Sequence, residues 1–104
     1  KALQAVMGDD ELYNDLLNDF LELEDELNAL KQAIDNRDFP SIARNAHIFT
    51  TALRYIGAYT LAELASSIEL TIKRNEHKTA DKLSNQLEVL YNALLELREK
   101  VKKR

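Results

Sequence analysis

Apolar residues recur at intervals of three and four along four successive stretches of this 104-residue sequence. Because an α-helix turns once every 3.6 residues, this spacing places the apolar side chains on one face of each stretch. Only two glycines and one proline interrupt the chain, whereas an all-β fold needs many turn residues. The pattern therefore predicts an all-α fold in which four amphipathic helices share one core.

Each predicted helix is preceded by a side chain whose oxygen can cap its first turn. The predicted N-caps are Asp9 or Asp10, Asp38, Thr60 and Thr79. Glu63 lies three residues after Thr60 and completes a capping box. The first of these helices is expected to run unbroken to the segment over residues 35–38. Short connections force consecutive helices to be antiparallel. The connections are also too short to link separate domains, so residues 1–104 are expected to form one domain. That domain is an antiparallel up-down-up-down four-helix bundle with a short extra helix over residues 1–7.

The composition excludes several classes of function. The formal net charge of −4 would repel a phosphate backbone, so no nucleic-acid partner is expected. There is no cysteine for a disulfide or a zinc–thiolate site, and no apolar run approaches the roughly 20 residues that span a bilayer. We expect no cofactor or metal on this chain and no membrane contact. The chain begins at Lys1 rather than Met, which suggests a domain of a longer protein.

One histidine lies in the middle of the second long helix, and its direction can be estimated from the helical geometry. The apolar residues of that helix define the direction of the core: Ile42, Ala46, Phe49, Leu53 and Ile56. At about 100° per residue, His47 lies roughly 140° from that direction. The sequence therefore predicts that His47 faces water.

An exposed histidine can be an ordinary surface residue, and this reading remains open. A neutral imidazole is also a good nitrogen nucleophile near pH 7. The residues expected to flank His47 could donate hydrogen bonds to an incoming phosphoryl group: Arg44, Thr50, Thr51 and Arg54. The Glu-x-x-His pairs of a bundle di-iron site are absent, and so is a phosphate-binding G-x-x-x-x-G-K-[ST] loop.

The stretch around His47 resembles the motif of histidine-containing phosphotransfer (HPt) domains, A-H-x-[LIF]-K-G-x-x-x-x-x-G-A-x-x-L-x-x-L-x-x-x-[LI]-E. The matching residues are Ala46, His47, Phe49, Gly57, Ala58, Leu61, Leu64, Ile68 and Glu69. The spacing of these residues fits the motif without a gap, and the acidic segment that precedes His47 resembles the acidic helix of the same family. The sequence departs from the motif where lysine and glycine are usual, because Thr50 and Thr51 stand there.

The resemblance implies a phosphorelay domain that accepts a phosphoryl group on His47 from a receiver-domain aspartate and passes it to another receiver. Such a domain has no kinase or ATP-binding activity of its own, and the Mg²⁺ belongs to the partner receiver. Threonine at position 50 brings no charge, and Arg44 or Arg54 could supply part of the positive charge of the missing lysine. The alternative is an HPt-like module that docks a receiver or kinase without transferring phosphate. A helical interaction domain unrelated to signalling also remains open.

Three residues that are apolar or aromatic but lie off the predicted core face are candidates for docking the receiver: Ile48, Ala52 and Tyr55. The partners implied by the resemblance are response-regulator receiver domains, with a hybrid sensor kinase in cis as one arrangement. The default expectation is a monomer, since every apolar face is used inside the bundle. The implied location is cytoplasmic, including the cytoplasmic part of a membrane-bound sensor kinase.

Overall fold

The computed structural model describes residues 10–74 and 80–104, which form five helices and no strand. The helices are α1 (Asp10–Leu21), α2 (Glu24–Asn36), α3 (Phe39–Tyr55), α4 (Tyr59–Lys73) and α5 (Ala80–Lys102). The prediction of an all-α fold is confirmed. The predicted helix over residues 1–7 and the predicted cap at Thr79 lie outside the described residues.

The first predicted helix is interrupted, and the prediction of a single unbroken helix is wrong. The chain makes a turn at Glu22 and Leu23, where the Leu23 amide donates to the Phe20 carbonyl at 3.1 Å. The apolar face continues across this turn, since Leu17 and Phe20 before it and Leu27 after it are buried. The turn contains neither glycine nor proline, so the apolar spacing gives no sign of the interruption.

Helix α3 begins as predicted, with Asp38 as its N-cap. One carboxylate oxygen of Asp38 accepts a hydrogen bond from the Ser41 amide at 3.4 Å, and the other accepts one from the Ser41 hydroxyl at 2.8 Å. Pro40 lies in the first turn, where a missing N–H removes no helical hydrogen bond. Arg37 precedes the cap with φ of 54°, a left-handed conformation that ends α2. This local chemistry sets where α3 starts and therefore which of its residues face the core.

The apolar face predicted for α3 is buried at every position. A second, adjacent face is buried as well, because α3 also packs against α4 in the most extensive helix pair of the described residues. Both helices bury small side chains, Ala43 and Ala46 on α3 and Ala62 and Ala65 on α4. Small residues let two helix axes approach closely. As a result, side chains that extend from α3 toward α4 reach that helix directly.

Helix α4 begins at Tyr59 with Ala58 at the N-cap position and no side-chain cap. The predicted capping box at Thr60 is therefore wrong. Gly57 has φ of 80°, a conformation that glycine adopts without a steric cost. This lets the Ala58 amide donate to the Leu53 carbonyl at 2.9 Å, so that the chain reverses at once. The backbone of this turn, rather than a side chain, decides where α4 starts.

Helix α5 closes the core against the other helices, and its predicted apolar face is largely buried. Its buried residues are Leu83, Leu87, Leu90, Leu94 and Val101. Arg98 forms an ion pair with Glu24 of α2 at 2.7 Å, and Arg104 beyond α5 hydrogen-bonds to Asn18 of α1. None of the helices in the described part of the chain is long and apolar enough to cross a membrane.

The cap of α3 gives a direct test of this account. Replacing Asp38→Ala removes the oxygen atoms that bind the first turn, and we expect the free energy of unfolding to fall by about 1 kcal/mol. Asp35→Ala is the matched control, because Asp35 is exposed and forms only a surface pair with Lys31, worth roughly 0.3–0.5 kcal/mol. Urea denaturation measures both. Equal losses would contradict the role of Asp38 as a cap.

Candidate functional site

His47 lies in the middle of α3, and its side chain is 66% exposed, which confirms the predicted direction. Its ring nitrogen Nδ1 lies 3.1 Å from Oε1 of Glu69 on α4. The other ring nitrogen, Nε2, hydrogen-bonds to none of the described residues. The imidazole is thus held on one side by the neighbouring helix while its other side faces solvent.

The contact with Glu69 determines which nitrogen of a neutral His47 carries the proton. An ionised carboxylate only accepts hydrogen bonds. Nδ1 must therefore donate, and in the neutral ring the lone pair is then on Nε2. The nitrogen that can act as a nucleophile is therefore the one that forms no hydrogen bond to the described residues, on a largely exposed side chain.

Glu69 is nearly buried and ionised, and two partners keep it so. Its Oε1 accepts from His47, and its Oε2 lies 2.7 Å from Nζ of Lys73, one turn further along α4. Burial by itself raises the pKa of the Glu69 carboxyl, but the hydrogen bonds and charges of Lys73 and His47 outweigh burial and hold the pKa below its ordinary value. The carboxylate therefore stays charged and continues to orient the imidazole when the pH falls moderately.

His47, Glu69 and Lys73 share a shallow depression of about 490 Å³ between α3 and α4. Its remaining lining is mostly apolar and consists of Pro40, Ala43, Ile48 and Ile72, together with Arg44. The guanidinium of Arg44 donates to the Ser41 hydroxyl at 3.0 Å. The structure thus brings two cations, Arg44 and Lys73, to the depression that holds the exposed imidazole.

The other predicted flanking residues differ in position. Thr51 is exposed, and its hydroxyl donates to the His47 carbonyl at 3.4 Å. Arg54 is exposed but lines a separate polar depression beside Glu63, Leu70 and Arg74. The structure therefore leaves Thr51 next to His47 and does not bring Arg54 to it.

Thr50 is only 4% exposed, and the prediction that it lies on the open flank of His47 is wrong. Its hydroxyl donates to the Ala46 carbonyl at 2.8 Å, within the same helix. The cause is that α3 buries a second face beside the predicted one, and Thr50 lies on that face with Ala43 and Ala46. In this structure the one proton of that hydroxyl is used inside α3 rather than offered to a ligand.

The three predicted docking residues differ in how much surface they offer. Tyr55 is exposed and Ile48 is half-buried beside His47. Ala52 is half-buried and packs against the hydrophobic core, so it contributes less surface. Their role in docking stays a prediction.

Two residues of this site, Glu69 and Lys73, were given no role from the sequence. Glu69 is the last residue of the motif, and Lys73 follows it at the i,i+4 spacing of a helical ion pair. The motif glutamate and the i,i+4 spacing of the two residues are both visible in the sequence. Their connection to His47 is a tertiary contact across 22 positions, which the periodicity of single helices does not reveal.

Among the side chains that the structure describes, no three of histidine, aspartate or glutamate are grouped so that they could hold a metal ion. The expectation that this chain needs no metal or cofactor stays a prediction.

Comparison with known proteins gives two results that bear on this site. A family model described as Hpt domain matches residues 15–100. The chain is also similar to the crystal structure of histidine-containing phosphotransfer protein B (HptB) from Pseudomonas aeruginosa PAO1. That similarity has a TM-score of 0.65 at 26% sequence identity and covers 98% of this chain and 89% of the HptB chain. The comparison with curated proteins gave no significant match.

The contact between His47 and Glu69 predicts a tautomer that ¹⁵N NMR can measure. At a pH where the ring is neutral, we expect the proton of His47 to lie mainly on Nδ1. In Glu69→Ala it should return toward the Nε2 position that free histidine prefers. Glu63→Ala is the matched control, because Glu63 is an exposed glutamate on the same helix. An unchanged tautomer in Glu69→Ala would contradict the assigned hydrogen bond.

The lowered pKa of Glu69 gives a second prediction. A ¹³C NMR titration should place its midpoint below the ordinary glutamate value, and Lys73→Ala should raise it. Because the folded-state pKa lies below the unfolded one, Glu69 stabilises the fold fully above the unfolded pKa. That contribution is lost as the pH falls through the folded-state pKa. A midpoint that does not move in Lys73→Ala would contradict the role assigned to the ion pair.

Proposed function

This chain belongs to the Hpt domain family, which carries phosphoryl groups in two-component phosphorelays, and we propose that His47 is its phosphoryl acceptor. The aspartyl phosphate of a receiver domain would be the donor, and an aspartate of a second receiver would then accept the phosphoryl group from His47. The observation that carries this proposal is the contact of His47 with Glu69, which leaves Nε2 exposed as the nucleophile.

The geometry supports an in-line displacement at phosphorus. The Nε2 lone pair would attack the phosphorus atom, and the bond from phosphorus to the aspartate oxygen would break with its electron pair going to the carboxylate. The Nδ1 proton stays in the hydrogen bond to Glu69, so no proton has to leave during the step. The receiver would bring Mg²⁺, and this chain would contribute position and orientation.

The helix layout that supports this role is an antiparallel up-down bundle. Late residues of α5 contact the early part of the chain, as Arg98 does with Glu24 and Arg104 with Asn14. His47 in the middle of α3 likewise meets Glu69 late in α4. This layout would hold His47 on a rigid helix pair, with residues 1–104 as one domain.

A receiver would dock around His47, using Ile48 and Tyr55 and the exposed part of Ala52. The depression beside the imidazole has largely apolar walls, which suits a partner that brings its own charged active site. We place the domain in the cytoplasm as a monomer, where it could act alone or in cis with a hybrid sensor kinase. The match to the Hpt family is what supports these assignments.

A second candidate function is docking without transfer, and position 50 favours it. Thr50 is buried and neutral where the family motif has lysine, so the cation of the motif is missing. Such a module would compete with an active relay for its receiver, or tether a kinase.

Phosphoryl transfer is tested by mixing this protein with a phosphorylated receiver domain and following the acid-labile label. We expect label on the wild type and none on His47→Gln, whose side chain has no ring nitrogen to attack phosphorus. Transfer to His47→Gln would contradict the assignment of the acceptor.

Docking without transfer makes a different prediction. The wild type and His47→Ala would then bind the receiver with equal affinity, and neither would carry label under any condition. Calorimetric titration measures the binding. Label on the wild type would exclude this second function.

A further inference from the structure

A phosphoryl group on His47 would lie close to the carboxylate that holds the ring. It would carry roughly two negative charges, and the ring, which keeps its Nδ1 proton, balances only one of them. The Glu69 carboxylate, which is hydrogen-bonded to the ring, adds a further negative charge. Like charges at this distance oppose each other, most strongly where water is partly excluded. The site therefore needs a cation, and position 50 does not supply one because Thr50 is neutral and buried.

Lys73 is placed where that cation is needed. Its Nζ lies 2.7 Å from Oε2 of Glu69, while Oε1 of the same carboxylate holds Nδ1 of His47. The ammonium and the imidazole are thus joined through one carboxylate group. Both also line the same depression between α3 and α4.

The Lys73 side chain can keep this contact and still reach a phosphoryl oxygen. An ammonium group has three N–H donors, and the contact with Glu69 occupies one of them. The side chain is 63% exposed, so its remaining donors are accessible. Four rotatable methylene groups let Nζ move toward Nε2 without movement of the helix.

We propose that Lys73 of α4 is the cation that binds the phosphoryl group on His47, in place of a lysine at position 50 of α3. The inference rests on the proposed function. Lys73 neutralises Glu69 before transfer and donates to a phosphoryl oxygen during and after it.

The charges of the step balance with Lys73 in this role. The reactants are a neutral imidazole and an aspartyl phosphate with two negative charges. The products are a phosphoimidazolium with a net charge of −1 and an aspartate with a charge of −1. The P–O bond to aspartate breaks as the P–N bond to Nε2 forms, and the Nδ1 proton stays with the ring. Lys73 gains a charge-assisted hydrogen bond to phosphate and loses no proton.

Arg44 is the other cation at the depression, and its contacts favour it less. Its guanidinium donates to the Ser41 hydroxyl, which itself donates to the Asp38 carboxylate. Arg44 is therefore held toward the start of α3, whereas Lys73 is held on the carboxylate that binds the imidazole.

The test uses phosphoramidate, a small-molecule phosphoryl donor, so that it does not depend on knowing the receiver. The rate of His47 phosphorylation is followed by ³¹P NMR in the wild type, Lys73→Ala, Lys73→Arg and Arg44→Ala. Lys31→Ala is the matched control, because Lys31 is also an exposed lysine in an i,i+4 ion pair, with Asp35, in α2. Circular dichroism and the His47 tautomer from ¹⁵N NMR report whether each variant keeps the fold and the ring orientation.

We expect Lys73→Ala to be phosphorylated roughly tenfold to a hundredfold more slowly, because this variant loses one charge-assisted hydrogen bond to the phosphoryl group. Lys73→Arg should retain most of the rate, and added salt should slow the wild type more than Lys73→Ala. An unchanged phosphorylation rate in Lys73→Ala would overturn the inference. A slower rate in Lys73→Ala would also overturn it if the His47 tautomer changes in that variant, or if Lys31→Ala is slowed equally. None of these results bears on transfer from a receiver, so the proposed function is tested separately by the experiment with a phosphorylated receiver.

Discussion

The hydrogen bond between the Glu69 carboxylate and Nδ1 of His47 is the interaction on which the site depends. It selects the tautomer, fixes the ring and leaves Nε2 on the solvent side. A surface histidine without such a partner would rotate and would share its proton between both nitrogens. Because Glu69 is nearly buried and paired with Lys73, the carboxylate is itself held in place. The chemistry of one exposed residue thus rests on a buried charge in the neighbouring helix.

That hydrogen bond requires α3 and α4 to approach closely and in one register. Small side chains that are fully buried on both helices allow the approach: Ala46 on α3 and Ala62 and Ala65 on α4. The register follows from the two ends of α3. Asp38 fixes the start through Ser41, and the left-handed Gly57 reverses the chain within a short turn. The contact across 22 positions is therefore a consequence of local capping and turn chemistry together with small side chains.

Much of this could be predicted from the sequence, because large apolar residues at helical spacing report which face is buried. The core face of α3 and the exposure of His47 follow from that spacing alone. The spacing does not predict the burial of Thr50, because α3 has a second buried face made of small residues and the pattern reports only large apolar side chains. It does not predict the turn at Glu22 either, because the apolar face continues through that turn. Glu69 and Lys73 needed the tertiary structure, since helical periodicity describes one helix at a time.

The position of the phosphoryl group on the ring tests the central claim most directly. Phosphorylated protein can be examined by ¹H–¹⁵N and ³¹P NMR, which distinguish phosphate on Nε2 from phosphate on Nδ1. If Glu69 holds Nδ1 as the structure shows, the group must be on Nε2, with the Nδ1 proton still in its hydrogen bond. Phosphate on Nδ1 of His47 would contradict the account, because that nitrogen could then not be the one that Glu69 binds.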